Sequence, residues 1–328
     1  MSEAKFLEGA RALVERCARL RQGERVYILS DRETEPVGRY VAAEARRWTS
    51  ELIVHVVPEA PMHGTEPSSQ VAERMSWANV VFCLTRMSLA HTAARKAATD
   101  RGTRYLSLPD YSLDLLAARS LQVDFASLEP LARDLTSRLD GGRSIELRTR
   151  LGSQLRVSID GRQGNCCPGL CDRDGMLGSP PDAEANIAPI EDGSEGIVWV
   201  DGSIPCRSFG KLAEPIGLEI VRGRIVRLHG RAGDVAKLEH LFDAAHLTAT
   251  RVLAEFGFGL NPLAELSGRM LEDEGCAGTI HLGFGSNATI GGRNRVPFHL
   301  DFVVTQPSVW IDGVPILQDG QMNLKAAA

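Results

Sequence analysis

The chain has 328 residues, of which 43% are hydrophobic and 24% charged, and its formal net charge at pH 7 is −5. A chain of this length is expected to form two domains. Its acidic balance gives no reason to expect a nucleic acid or an anionic membrane as partner. No run approaches about 18 apolar residues, so no transmembrane helix is predicted. The odd number of cysteines, seven, favours reduced thiols, and we expect a cytoplasmic protein.

The first half of the chain alternates apolar strands with amphipathic helices. Strands are predicted at residues 26–29, 52–57, 80–84 and 105–106, with helices at residues 5–22, 36–48, 70–76 and 90–98. This alternation is typical of βαβ units and a parallel sheet. We therefore predict an α/β fold class, with a Rossmann-like α/β domain over residues 1–142. No Gly-x-Gly-x-x-Gly follows the first strand, so a dinucleotide site is not expected.

The second half is richer in glycine, proline and short strands. A helix over residues 128–139, ended by Asp140-Gly141-Gly142, is predicted to connect the halves. Beyond it the pattern predicts a hairpin formed by residues 145–148 and 155–159. It also predicts strand stretches at residues 197–202 and 219–225 and a helix at residues 235–253. Residues 143–328 are therefore predicted to form a β-rich α+β domain.

Two of the eight histidines lie in short apolar segments of this second domain. In His299-Leu300-Asp301 the imidazole and the carboxylate project from the same face of a predicted strand, because residues two apart share a face. A buried His–Asp hydrogen bond would explain this triplet alone equally well. His281 and Glu255, in two further apolar strands, favour a mixed nitrogen and oxygen site for a divalent metal. The second domain is thus the predicted metal-binding domain.

Taken together, these motifs resemble the metal-binding core of the aminopeptidase T family. The resemblance covers roughly the C-terminal half, from Glu255-Phe256-Gly257-Phe258-Gly259 through Asp273-Glu274 and Gly278–Gly285 to His299-Leu300-Asp301. Members of this family are metallo-aminopeptidases with two metals in one site. The resemblance implies that the metal ligands are Glu255, Glu274, His281, His299 and Asp301.

A further ligand is implied upstream of this core. Residues 181–189 resemble the family's Pro-x-Gly-Glu-Val segment, with Ala183 where the family usually has glycine. The match adds Glu184 to the ligand set. Without the resemblance, Glu184 would be interpreted as a solvated loop residue.

The resemblance implies a metal-dependent hydrolase with a dinuclear centre. Two divalent ions (Zn, Co or Mn, with Fe as a further candidate) would activate a water molecule that cleaves an N-terminal peptide bond or a small amide. Glu184 and Glu255 are the carboxylates predicted to be catalytic, and which one acts as the general base stays open. Arg293 and Arg295 either bind a substrate carboxylate or lie in a solvated loop. The family also implies a homodimer.

One departure leaves a second function open. The peptidases carry a tyrosine seven residues after the ligand histidine, where this chain has Ala288. The same superfamily includes ring-cleaving 2,5-dihydroxypyridine dioxygenases, which the chain resembles in its length and in Gly291-Gly292-Arg293…Pro297-Phe298-His299-Leu300-Asp301. Such an enzyme would use one Fe(II) held by two histidines and a carboxylate. It has histidine in place of Glu255 and lacks the ligands at Glu184 and His281, so the retention of all three here favours the hydrolase.

A cluster of cysteines precedes the metal motifs. Cys166, Cys167 and Cys171 lack a second cysteine pair at zinc-ribbon spacing, so a loop with reduced thiols is the simpler interpretation. A thiol that faces the mouth of the active site is the alternative.

Overall fold

The computed structural model of the protein describes residues 2–244 and 247–323. Residues 245–246 of the predicted helix over 235–253, and residues 324–328 of the predicted second domain, lie outside the described residues. The chain divides into two compact units. The first comprises Met1–Ala126 and Gly169–Pro181, and the second comprises Ser127–Pro168 and Asp182–Ala328.

The described residues contain short and medium helices distributed along the chain. The α-helices are α1 (Glu3–Arg11), α2 (Glu35–Ala45), α3 (Ser69–Trp77), α4 (Ala93–Asp100), α5 (Leu113–Leu116), α6 (Phe125–Gly141), α7 (Ala232–Asp243) and α8 (Met270–Asp273). A π-helical turn (Ala12–Cys17) continues α1, and 3-10 turns cover Arg119–Gln122 and Thr248–Arg251. Among the described residues, no helix is both long and apolar enough to cross a membrane.

The strands become denser after α6. The first are β1 (Val26–Ser30), β2 (Leu52–Val56), β3 (Val80–Cys83), β4 (Arg104–Ser107), β5 (Ser144–Arg148), β6 (Gln154–Ser158) and β7 (Gly164–Cys167). They are followed by β8 (Leu177–Gly178), β9 (Glu184–Ile187), β10 (Ser194–Val200), β11 (Ser203–Ile204), β12 (Gly210–Lys211) and β13 (Ile216–Val221). The last are β14 (Arg224–His229), β15 (Leu253–Gly259), β16 (Thr279–Gly285), β17 (His299–Thr305), β18 (Ser308–Ile311), β19 (Val314–Gln318) and β20 (Gln321–Met322).

The first unit is built on a parallel sheet with the strand order β2-β1-β3-β4-β8. On one face, Tyr27 and Leu29 of β1 pack with Val71 and Met75 of α3. On the other, Ile28 lies against α2. Helices on both faces explain why the central strands β1 and β3 are buried along their whole length. The predicted Rossmann-like α/β architecture is confirmed.

The second unit contains two antiparallel sheets. One has the order β14-β13-β10-β6-β5-β18-β19-β20 and the other β12-β11-β17-β16-β15-β9-β7. The predicted hairpin at residues 145–159 is confirmed as the antiparallel pair β5–β6. The stretch 219–225, predicted as strand, contains the end of β13, a two-residue turn and the start of β14. Arg222 and Gly223 both have positive φ, 47° and 68°, the combination that a tight two-residue hairpin turn requires.

The helix predicted over residues 235–253 is shorter than expected. α7 ends at Asp243, and β15 begins at Leu253 and pairs with both β16 and β9. The apolar residues at the end of the predicted helix therefore belong to the sheet. Strand pairing on both sides outweighs local helical spacing, as tertiary context commonly does.

The seven-stranded sheet has one apolar and one polar face. The apolar face is fully buried and carries Phe256, Leu282, Phe284 and Phe302. Phe242 of α7 packs there, with its ring centroid 6.5 Å from that of Phe284 and 6.2 Å from that of Phe302. The polar face of the same strands carries most of the predicted metal ligands, so the aromatic core lies directly behind them.

We expect Phe302→Ala to lower the free energy of unfolding by about 3–5 kcal/mol, because it leaves a cavity in this aromatic cluster. Urea unfolding followed by circular dichroism measures the loss. Val226→Ala is the control, since the Val226 side chain lies on the surface, and its effect should stay within about 0.5 kcal/mol. A Phe302→Ala variant as stable as this control would contradict the role given to the cluster.

Candidate metal centre

Five ionisable side chains from four neighbouring strands share the polar face of the seven-stranded sheet. The residues are Glu184 on β9, Glu255 on β15, His281 on β16, and His299 and Asp301 on β17. They share a face because side chains alternate along each strand and the antiparallel register aligns the strands. Residues separated by more than 100 positions in the sequence are thereby brought together.

These side chains form two groups with one common member. The ligand atoms of Glu184, Glu255 and His281 all lie within 4.8 Å of one another, as do those of Glu255, His299 and Asp301. Oε1 of Glu255 is 3.7 Å from Nε2 of His281, and its Oε2 is 3.4 Å from Nε2 of His299. We call Glu184–Glu255–His281 the inner group and Glu255–His299–Asp301 the outer group. Each offers one imidazole nitrogen and two carboxylates, donors that suit Fe, Mn, Co or Zn.

The two groups differ in their access to solvent. In the inner group the side chains of His281 and Glu184 are only 2% and 9% exposed. In the outer group the His299 side chain is 34% exposed, while Asp301 stays buried. A molecule arriving from solvent therefore reaches the outer group first.

Several buried polar atoms of this region have no hydrogen-bond partner within the described part of the chain. They are Oε2 of Glu184, Nδ1 of His281, Oε1 of Glu274 and Oδ1 of Asp182. Oε2 of Glu184 lies 3.0 Å from Nε2 of His281 without forming a hydrogen bond. Buried polar atoms are normally paired, and leaving one unpaired costs about 1–3 kcal/mol. A cation bound between Glu184, Glu255 and Nε2 of His281 would satisfy Oε2 of Glu184, so the residues present fit a metal ion.

The charges of the site lower the pKa of the Glu255 carboxyl and raise the pKa of the two imidazoles. Burial alone would raise the pKa of Glu255, but the imidazoles of His281 and His299 outweigh it and hold that pKa well below its usual range. Burial would lower the pKa of both histidines, but the neighbouring carboxylates raise it well above 6.5. Without a metal ion, both imidazoles are therefore protonated near neutral pH, and a metal has to displace these protons.

The outer imidazole is oriented by the loop between β16 and β17. Nδ1 of His299 lies 3.0 Å from the carbonyl oxygen of Ser286, which is an acceptor only. The ring therefore donates its Nδ1–H there and turns Nε2 towards Glu255 and Asp301. The loop itself is held by Asn287, whose backbone N–H donates to the carbonyl oxygen of Asn294 at 3.1 Å.

A second set of amides orients the inner group. Nδ2 of Asn186 donates to Oε1 of Glu184 at 2.7 Å, and Nδ2 of Asn165 donates to Oδ1 of Asn186 at 2.9 Å. With Oε1 engaged in this way, the other oxygen of Glu184 faces His281. Sequence reasoning missed these residues, although Asn186 carried a usable signal because it lies two positions after Glu184 on the same strand face.

Three predicted site residues lie outside both groups. Oε1 of Glu274 is buried, and its pKa is raised well above the usual value by burial and by the Asp301 carboxylate. Arg293 and Arg295 are exposed on the loop before β17, where the Arg293 backbone N–H donates to Oε1 of Glu191 at 2.6 Å. Substrate binding by the two arginines stays a prediction, as do metal binding by the six proposed ligands and catalysis by Glu184 and Glu255.

The cysteine cluster is divided between the two units. Cys166 and Cys167 belong to β7 rather than to a loop, and Cys167 pairs in register with Glu184 of β9. Burial raises the pKa of the Cys167 thiol, and the Glu184 and Asp182 carboxylates raise it further. Cys171 is buried in the first unit, where its backbone N–H donates to the carbonyl oxygen of Cys17.

Comparison with known proteins distinguishes the hydrolase from the dioxygenase. The model of the NicX family, described as 2,5-dihydroxypyridine 5,6-dioxygenase, matches residues 5–324. The chain belongs to this dioxygenase family. The 2,5-dihydroxypyridine 5,6-dioxygenase of Pseudomonas putida KT2440 is 25% identical to it over 249 residues, which cover 72% of this chain and 69% of that protein.

Solved structures support the same grouping at the level of the fold. The structure of 2,5-dihydroxypyridine dioxygenase from P. putida KT2440 has a TM-score of 0.83 and 20% identity, and the match covers 99% of both chains. AmpT from Thermus thermophilus has a TM-score of 0.70 and 16% identity, over 98% of this chain and 100% of that one. The chain thus shares its fold with both of these proteins.

The prediction of an aminopeptidase-like hydrolase, and with it of a protease, is wrong. The family model and the P. putida relative both name a dioxygenase, which was the alternative interpretation. The motifs around His281 and His299 misled because they indicate candidate metal donors, and such donors do not by themselves specify the reaction. Ala288, in place of the peptidase tyrosine, was the local sign of the difference. The expectation of a metal cofactor agrees with the family and with both ligand groups.

We expect the apparent affinity for a divalent metal to rise with pH. Below their raised pKa values the two imidazoles hold protons that compete with the metal, and this competition ends as the pH passes those values. Each displaced proton contributes up to about tenfold in affinity per pH unit. Calorimetric Co(II) titrations at about pH 6, 7 and 8, in buffers of different ionisation enthalpy, measure affinity and proton release together. An affinity independent of pH, without proton release, would contradict the assignment.

Proposed function

We propose that this chain is a ring-cleaving dioxygenase that inserts both atoms of O2 into a dihydroxylated pyridine ring, as the name of its family describes. The observation that carries the proposal is the outer group: two carboxylates and a half-open imidazole, in a chain matched to the dioxygenase family over residues 5–324. The family supplies the reaction class, and the open imidazole supplies a place where substrate and O2 could reach a bound metal.

The proposed cofactor is a single Fe(II) in the outer group. Zinc has no accessible redox states, whereas iron, when bound, supplies the one-electron chemistry that lets O2 react with an aromatic ring. The proposed ligands are Glu255, His299 and Asp301. They differ from the common set of two histidines and one carboxylate by one carboxylate in place of an imidazole. His281 brings a second imidazole to the other side of Glu255.

The proposed roles of the remaining groups follow from their positions. Ser286 and Asn287 keep the His299 ring turned towards the ligand set. Arg293 and Arg295 are exposed on the loop that leads to His299, where a guanidinium could bind the anionic oxygen of a deprotonated ring hydroxyl. Under the single-iron proposal the inner group holds no ion, and a second divalent ion there is the dinuclear alternative that metal analysis tests. Homodimer formation stays a prediction.

Activity is tested with protein loaded anaerobically with Fe(II) and supplied with 2,5-dihydroxypyridine. We expect one O2 consumed per ring cleaved, no requirement for an external reductant, and both atoms of ¹⁸O2 in the ring-opened product by mass spectrometry. His299→Ala should lower turnover by at least about 100-fold, because partners that only orient a ligand already contribute about 10–100-fold. Hydrolysis of aminoacyl anilides without O2, and no ring cleavage, would refute the proposal.

Metal analysis separates one ion from two. With a single iron in the outer group, we expect about one metal per chain in the wild type and in Glu184→Gln, which keeps the side-chain shape and removes one charge. Glu44→Gln, a buried glutamate of the first unit, is the matched control. A content that falls from two ions to one in Glu184→Gln alone would place a second ion in the inner group and contradict the single-iron proposal.

A further inference from the structure

Each proposed or predicted ligand on the polar face of the sheet pairs in register with a glycine of the neighbouring strand. His281 pairs with Gly257, while Glu255 and Asp301 both pair with Gly283 from opposite sides. The two outermost pairs are Glu184 with Gly259 and His299 with Gly285. Each ligand therefore faces a glycine across the sheet.

Two of these glycines contact the imidazoles directly. A Cβ atom built on Gly257 would lie 2.1 Å from both Cε1 and Nε2 of His281. A Cβ on Gly283 would lie 2.7 Å from Nε2 of His299 and 2.9 Å from Oδ1 of Asp301. Ordinary contacts between carbon atoms are about 3.5–4.0 Å. The rings thus occupy the space that any other residue's Cβ would take.

Backbone conformation does not explain why these two residues are glycine. Neither Gly257 nor Gly283 has a φ in the left-handed region, so alanine could adopt either backbone conformation. Gly285 differs, because its φ of 118° favours glycine by itself. Gly259 differs as well, since its Cβ would meet the backbone of Cys276 rather than a ligand. At Gly257 and Gly283 the ligand side chains occupy the space that a Cβ atom would need.

We propose that Gly257 and Gly283 are positioning residues of the metal centre, each leaving a slot in which a ligand side chain lies flat across the neighbouring strand. The inference rests on the proposed metal centre, which includes Glu255. Gly257 acts through His281, whose Nε2 lies 3.7 Å from Oε1 of Glu255, and Gly283 acts through His299 and Asp301 in the outer group. Metal–ligand distances tolerate only about ±0.2 Å, and a methyl group would displace the rings by several times that distance.

The first test uses Co(II) binding to Gly283→Ala, followed by calorimetry and by the visible absorption of the bound ion. We expect at least about tenfold weaker binding and an altered Co(II) spectrum, because His299 and Asp301 both have to move. Gly38→Ala is the matched control, since its Cβ would meet only atoms 3.5 Å or more away, in the first unit. Wild-type affinity and an unchanged spectrum in Gly283→Ala would overturn the proposal for this residue.

The second test is a double-mutant cycle of Gly257→Ala and His281→Ala, read as the melting temperature of the metal-free protein. We expect Gly257→Ala to lower it by at least about 2 °C in the wild type and to have no such effect when His281 is alanine, because the obstructing ring is then gone. Equal losses in both backgrounds would show a purely structural glycine. If Gly257→Ala alone does not fold, recovery of folding in the double variant supports the proposal, and its absence overturns it.

Both tests are independent of turnover. A wild-type protein that binds Co(II) but cleaves no dihydroxypyridine when it is loaded with Fe(II) would refute the proposed function and leave the positioning role standing. Conversely, an active dioxygenase whose Gly283→Ala variant binds Co(II) normally would refute only the positioning role.

Discussion

The strand register of the seven-stranded sheet is the constraint on which the candidate site depends. Side chains alternate between its two faces, so a slip of one residue in β16 would move His281 to the aromatic face and bring Leu282 to the polar one. Leu282 and Phe284 oppose such a slip, because it would move them to the polar face and away from Phe256 and Phe302. The free energy gained by burying the aromatic core therefore also fixes the positions of the ligands.

Negative charge is concentrated at this site beyond what its imidazoles can balance. Five carboxylates, those of Asp182, Glu184, Glu255, Glu274 and Asp301, surround two histidines. Burial raises the pKa of Asp182 and Glu274, which marks them as groups that resist ionisation without a nearby cation. A divalent ion would reduce this repulsion, so we expect metal binding to stabilise the folded state as well as to serve the reaction.

The periodicity of the sequence was enough to predict the fold class and to find four of the five residues that meet at the site, while Glu184 came only from the family resemblance. The same rule that puts residues two apart on one strand face paired His299 with Asp301, and the apolar runs around His281 and Glu255 identified their strands. The amides that orient the ligands were missed. Asn165 and Asn287 act through contacts with residues far away in the sequence, and such contacts follow from strand order, which periodicity does not encode. The early end of the helix at Asp243 was missed for the same reason, because β15 is decided by its partners.

The reaction was harder to infer than the site, because this fold is shared by a dioxygenase and by AmpT, and a fold does not specify a reaction. Amide hydrolysis requires a group that stabilises the oxyanion of the tetrahedral intermediate. Ala288 offers none, and the neighbouring Asn287 is fully buried and holds the loop through Glu191 and Asn294. Oxygen chemistry at a redox metal needs no such donor, but it needs an accessible position beside the ligands. The exposed side of His299 offers such a position, whereas position 288 lacks the tyrosine that amide hydrolysis would use.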